Sequence, residues 1–152
     1  FYPLDTIGKW SRIYGRRGVL QYQLVLPIDT CRAGLVEVVA KVNASGMASF
    51  LAVLKSTGPS NEGPLSFPIE GASLAMDFPN RGEALVALLR ELDEIVLRHG
   101  GRTYLAKDST LEPGTFRAMY PRYSEFLEVK ARVDPDQRFS SSLARRLELV
   151  LR

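Results

Sequence analysis

The sequence predicts an α+β fold of the ferredoxin-like kind, β-α-β-β-α-β, with two helices on one face of an antiparallel sheet and a helical tail behind it. Three observations carry this. Residues 20–27 (LQYQLVLP) alternate in character, as a strand with two unlike faces does. Residues 82–100 repeat Leu85, Leu88, Leu89, Leu92, Ile95 and Val96 at helical spacing. Strand-like and helix-like stretches then follow one another in the order that the motif requires.

The first strand puts Tyr22, Leu24 and Leu26 on one side and Gln21, Gln23 and Val25 on the other. Asp29 or Thr30 caps a helix reaching to about residue 43, with Leu35, Val38, Val39 and Val42 as its apolar stripe. Ser45-Gly46 closes it. Residues 48–57 read as a second strand, and GPSNEGP after it is a loop by every turn criterion. Residues 74–79 form a short third strand ended by Pro79. The long helix stops at Gly100-Gly101, and residues 102–106 (RTYLA) supply the fourth strand. Beyond it, a Pro113-Gly114 turn leads into FRAMY. Pro121 starts a helix running to about residue 133, which Asp134-Pro135 breaks. Ser140 to Ser142 caps a last helix ending at Leu149. This tail has no evident place inside a four-stranded sandwich and reads as a segment that packs on another domain.

Composition narrows the class. At 152 residues the chain fits one core. Its 45% apolar and 24% charged residues are ordinary for a globular protein. The net charge of +3 comes from Lys and Arg spread along the chain, which describes a mixed-sign surface rather than a nucleic-acid patch. No apolar run approaches the roughly 18 residues of a membrane span. Nothing at the start reads as a signal peptide. The single Cys31 cannot close an internal disulfide, which suits a cytoplasmic or other reducing setting. The Phe-Tyr-Pro-Leu beginning fits a piece of a longer polypeptide.

Metal-ligand spacing, GxSxG and Gly-rich phosphate loops are all missing, so no metal is expected. Cys31 reads as an inert thiol at a helix start, and His99 as a cation favoured by a helix C-terminus. The face of the sheet away from the helices is the candidate site. Alternation groups Gln21 with Gln23, Ser49, Leu51, Val53, Lys55 and Thr57 together, and Ser73 with Ala75 and Asp77; Lys107 follows the fourth strand. If these sets face one way, two amides, two ammonium groups and a hydroxyl form a platform suited to hydroxyl-rich or phosphorylated ligands. The competing reading, a merely solvated sheet face, stays open on spacing alone. An RNA-recognition sheet would need aromatics where Gln and Ser stand, so no nucleic-acid partner is expected.

The segments LQYQLVLP, ASFLAVLKSTG, PLSFPIEG, MDFP, GGRTYLAKDS, FRAMYPRY and KARVDPDQRFSSSLARRLEL occur in one order. Together they resemble the C-terminal half of the decaprenylphosphoryl-ribose 2′-oxidase family, two-domain flavoenzymes of the vanillyl-alcohol-oxidase type. The likeness runs over nearly the whole chain. DP-x-x-x-F is weakly specific, whereas AKDS followed by FRAMYPR and ARRLEL is far more so.

The resemblance implies that residues 1–106 form a substrate-binding cap domain. Residues 107–152 would pack on an N-terminal FAD-binding domain of the same polypeptide, which holds most of the cofactor. It implies an FAD-dependent oxidoreductase that moves a hydride from C2′ of a polyprenylphosphoryl ribose to flavin. A keto-reductase partner would complete the epimerisation to arabinose for cell-wall arabinan. By motif, Lys107 matches the active-site lysine beside flavin and substrate, and Tyr104 a tyrosine that helps hold the cofactor. Gln21, Gln23 and Lys55 match pocket residues, with Ser73 and Ala75 at the Asn-x-Cys positions of the best-known members. The family cysteine is therefore absent here, which opens the ligand preference. The alternatives are a related oxidase of another alcohol or hydroxy acid, or a free-standing ferredoxin-like module without a redox role. The chain alone is expected to be inactive. Membrane association is left open for the full-length protein.

Overall fold

A computed structural model describes residues 15–47, 49 and 51–150. The Phe-Tyr-Pro-Leu start and two of the first three residues expected in the second strand lie outside them. The chain forms β1 (Val19–Pro27), α1 (Cys31–Ala44), β2 (Leu51–Thr57), β3 (Gly71–Pro79), α2 (Glu83–Arg98) and β4 (Arg102–Thr103). All strand pairs are antiparallel, in the order β2-β3-β1-β4. This is the expected ferredoxin-like arrangement.

Alternation builds the core. Tyr22, Leu24 and Leu26 of β1 turn to the same side as Leu74, Met76 and Phe78 of β3, and meet Val38 and Val42 of α1. The α2 stripe of Leu85, Leu88, Leu89, Leu92, Ile95 and Val96 closes this layer. Each of these side chains, fully buried, contributes about 1.5–3 kcal/mol. α2 ends as its two glycines predict. Gly100 sits at φ +72°, its N–H bonds to Leu97 O at 2.9 Å, and Gly101 N–H bonds to Val96 O at 2.9 Å. Gly101 is also required by packing, because a Cβ there would stand 2.3 Å from Val25 O.

Two strand ends differ from expectation. β3 begins at Gly71 rather than at residue 74, because Gly71 and Ala72 pair with Pro27 and Leu26. The approach is so close that a Cβ on Gly71 would meet Leu26 O at 2.1 Å, so glycine is what lets the strand enter here. β4 stops at Thr103, not at residue 106. Tyr104 N–H still bonds to Gln23 O at 2.8 Å, but Lys107 N–H then turns back to Tyr104 O at 3.0 Å, closing a 3-10 turn over Leu105–Lys107.

The tail forms α3 (Pro113–Met119), α4 (Tyr123–Val133) and α5 (Ser142–Arg146). The Pro113-Gly114 pair opens a helix instead of a free turn, since proline suits the first helical positions. α5 is capped by Ser141 Oγ, which accepts from Ala144 N–H at 3.0 Å. It ends three residues before the expected Leu149: Glu148 adopts φ +56° and Leu149 N–H bonds back to Ala144 O at 2.8 Å. Asp134 explains the DP-x-x-x-F element. Its carboxylate accepts from Lys130 Nζ at 2.5 Å and from the N–H groups of Arg138 and Phe139 at 2.8 and 3.1 Å. The Lys130 hydrogen bond holds that carboxyl below its usual range.

One side of the tail joins the main core. Leu111, Phe116, Met119, Tyr120, Leu147 and Leu149 are buried in the same apolar cluster as β1 and α2. The other side carries an apolar hollow of about 440 Å³ lined by Leu65, Leu105, Phe126, Leu143 and Leu149. Phe139, which also lines it, is 79% exposed.

Candidate active site

The strand registers settle which polar sets coincide. Lys55 of β2 stands opposite Ser73 of β3, which stands opposite Val25 of β1, opposite Arg102 of β4. The next row is Val53, Ala75 and Gln23, and the one after it Leu51, Asp77 and Gln21. Gln21, Gln23, Lys55, Ser73 and Ala75 therefore share the sheet face opposite α1 and α2. Tyr104, two residues beyond Arg102, continues the Gln23 row through its backbone bond to that residue. Lys107 follows in the 3-10 turn.

The face is less open than a solvated platform. Gln21 and Lys55 are exposed, Tyr104 and Lys107 are partly buried, and Gln23, Ser73 and Ala75 are buried. Gln23 Nε2 donates to Ser73 Oγ at 2.9 Å, so these two satisfy each other. Gln21 Nε2 donates to Asp77 Oδ1 at 2.9 Å. Asp77 thus adds a buried carboxylate that the sequence grouped on this side without giving it a role. At the β4 end the β2–β3 loop leans on the face. Phe67 packs on Tyr104 with ring centroids 4.4 Å apart, and Ser66 O accepts from Arg102 Nη1 at 2.7 Å.

Charge is distributed unevenly across this surface. Among the described residues, no hydrogen bond or ion pair engages the ammonium of Lys107 or of Lys55. Arg102 likewise has no ion pair among the described residues. Its Nε is buried without a partner among the described residues, its guanidinium lies 5.2 Å from the Tyr120 ring centroid, and burial lowers its pKa. Among the described residues no cluster of three or more His, Cys, Asp or Glu is placed to hold a metal.

Beneath the platform lies a polar cluster that the sequence reading missed. Asp93 of α2 accepts from Tyr22 OH and from Thr103 Oγ1, each at 2.8 Å. Tyr120 OH donates to Thr103 O at 2.7 Å. Burial raises the Asp93 carboxyl to about 6 and pushes the Tyr22 phenol well above its usual range. The signal was a carboxylate inside the apolar face of α2, beside Leu89, Leu92 and Val96. His99 and Cys31 stay outside the site. His99 Nε2 meets Glu37 Oε2 of α1 at 2.9 Å, a pairing that lowers the Glu37 pKa, while Cys31 Sγ contacts Ile28 O at 3.2 Å.

The sequence profile of the D-arabinono-1,4-lactone oxidase family matches residues 79–147. That span runs from the end of β3 through Tyr104, Lys107 and the tail. Over 150 residues, 99% of this chain, it is 45% identical to the decaprenylphosphoryl-β-D-ribose oxidase of Mycolicibacterium smegmatis. The chain is a relative of that oxidase. It is also 44% identical over 119 residues, 78% of the chain, to an uncharacterized protein in the mprA 5′ region of Streptomyces coelicolor. The chain spans about a third (32%) of the length of each of these relatives. The oxidase likeness bears out the resemblance read from LQYQLVLP through ARRLEL. Among the described residues no helix is long and apolar enough to cross a membrane.

Proposed function

We propose that this chain is the substrate-binding part of a longer FAD-dependent oxidoreductase that oxidises C2′ of a polyprenylphosphoryl ribose. The observation that carries the reading is the Lys107 ammonium, unpartnered among the described residues, beside the Gln21–Gln23 strand, in a chain 45% identical to a decaprenylphosphoryl-β-D-ribose oxidase. A flat sheet face with small Ala75 at its middle and a free cation at its rim fits a planar ring with polar edges. When bound, the flavin supplies the acceptor for the hydride that leaves the hydroxyl carbon.

The chain's own residues bind and orient. Lys107 directs the reacting hydroxyl through its ammonium hydrogen bonds and offsets negative charge that develops beside it. Gln21 offers its amide oxygen to a sugar hydroxyl while its nitrogen stays on Asp77. Gln23 and Ser73 hold the middle row in place as a pair. Lys55, exposed and without an ion pair among the described residues, suits an anionic phosphate at the far edge. Tyr104, backed by Phe67, gives a rigid aromatic edge for the cofactor. Residues 1–106 act as the cap, and the tail hollow around Phe126 and Phe139 receives the FAD-binding domain of the same polypeptide. A keto-reductase partner then completes the conversion to the arabinose precursor of cell-wall arabinan.

A second reading keeps the cofactor and changes the substrate to another sugar alcohol or lactone. It is favoured by the D-arabinono-1,4-lactone oxidase profile and by Ser73 and Ala75 in place of the Asn-x-Cys pair. The test is the visible spectrum of the full-length polypeptide, recorded anaerobically before and after adding a polyprenylphosphoryl ribose. Bleaching of a flavin band establishes cofactor and substrate class together. A band that persists moves the substrate to the second reading, and the absence of any flavin band overturns the oxidoreductase reading.

A further inference from the structure

Among the described residues the Lys107 ammonium has no hydrogen-bond or ion-pair partner, so its position is set by the backbone on either side of it. On the N-terminal side, its N–H bonds to Tyr104 O at 3.0 Å, and Tyr104 N–H is tied to β1 through Gln23 O at 2.8 Å. On the C-terminal side stands Asp108, whose side chain is only 2% exposed. Asp108 Oδ1 accepts from the N–H groups of Thr110 and Leu111 at 2.9 and 2.8 Å. Its Oδ2 accepts from Arg146 Nη2 at 2.7 Å, while Arg146 Nη1 donates to Leu111 O at 2.5 Å. One guanidinium therefore grips both ends of the turn that follows Lys107. Arg146 closes α5, which Leu147 and Leu149 anchor in the core.

We propose that Arg146, acting through Asp108, is a positioning residue for Lys107, so that the last helix of the tail sets the geometry of the site. The proposal deepens the flavoenzyme reading and rests on it. Removing Arg146 leaves the buried Asp108 carboxylate without its cation, and the turn must shift or take up water to compensate. The displaced element is the one that carries Lys107. A misplacement of about 1 Å at a reacting group can cost on the order of 10²-fold in rate. Lysine at position 146 keeps the charge but cannot span both acceptors as a planar fork does, so it restores part of the function.

The experiment uses the full-length holoprotein with a polyprenylphosphoryl ribose and reads the anaerobic rate of flavin bleaching, with flavin content and melting temperature alongside. Arg146→Met and Arg146→Lys are each made in the natural background and in Lys107→Ala. Arg146→Met should slow bleaching about tenfold or more with Lys107 present, and by less than about twofold when Lys107 is already gone. Arg146→Lys should fall between the natural protein and Arg146→Met. Equal slowing in both backgrounds would overturn the proposal, because it would show an effect that does not pass through Lys107. If Arg146→Met does not fold, Asp108→Asn carries the same comparison. If Lys107→Ala alone leaves the rate unchanged, the site reading itself fails, an outcome separate from additivity.

Discussion

The two faces of β1 carry the same strand in opposite directions of use. On the helix side Tyr22 is 3% exposed and its hydroxyl is spent on Asp93, a carboxylate between Tyr22 and Thr103 to which no ammonium or guanidinium among the described residues is hydrogen-bonded. On the platform side Gln21 and Gln23 are tied to Asp77 and Ser73, yet the ammonium groups around them, Lys55 and Lys107, have no partners among the described residues. The buried face satisfies its polar groups and ends there. The platform fixes its amides and leaves its cations unspent, which is the arrangement a bound anion or a reacting hydroxyl completes. Substitutions of the platform's unspent cations should therefore act on rate, and substitutions in the buried core on stability.

The sharpest break in that comparison is Lys107→Ala. Loss of a preorganised cation at the reacting hydroxyl should slow flavin bleaching on the order of 10²–10³-fold. Because no hydrogen bond or ion pair among the described residues engages the ammonium, stability should stay within about 0.5 kcal/mol. A large drop in melting temperature would show Lys107 to be a structural residue. The opposite signature is expected for Phe116→Ala. Phe116 is fully buried between the tail and the core, so urea unfolding should show a loss of about 3–5 kcal/mol. A loss under about 1 kcal/mol would show that the tail is not part of the core.

Asp93 sharpens the comparison through pH. Burial raises its carboxyl to about 6, whereas in the unfolded chain it titrates near 4. The folded form therefore holds a proton that the unfolded form has released. The stabilising contribution of this group is complete below about pH 4 and is lost as pH rises through about 6. Asp93→Asn removes that loss, so the stability of the natural chain relative to the variant should fall by about 2–3 kcal/mol between pH 4 and 7. Urea midpoints at a series of pH values measure it. Parallel profiles for the two proteins would place the titration elsewhere.

What the sequence made legible follows period and alternation. The 3.6-residue stripe of α2 and the two-residue alternation of β1 lead directly to the sheet, its helices and its platform face. The coincidence of Gln21, Gln23, Lys55, Ser73 and Ala75 needed the register, which no single strand encodes. Gly71 was left outside the third strand because its role, close approach to Leu26 O, depends on a partner far away in the sequence. Asp93 and Asp108 were passed over for the same reason. Their partners Tyr22 and Arg146 stand 71 and 38 residues distant. Lys107 was legible by resemblance, but its turn was not, since β4 ends where its pairing with β1 runs out rather than at any residue that breaks strands.

The smallest effect tests the platform at its centre. Ala75 faces Val53 and Gln23 across the rows and is buried, with a methyl where the best-known family members carry a thiol. A thiol-directed inhibitor of the family has no sulfur to attack at that position, so the natural chain should remain unlabelled there. Cys31, at the start of α1 with its Sγ on Ile28 O, lies outside the platform and should also stay free of adduct. Ala75→Cys adds a single sulfur atom to a buried site, a change expected to cost about 1–3 kcal/mol where the packing cannot relax. It should nevertheless gain one adduct, read by intact mass, when the full-length holoprotein is treated with that inhibitor. Labelling of Cys31 instead would move the pocket to the helix side of the sheet, and with it every role assigned to Gln21, Gln23 and Lys55.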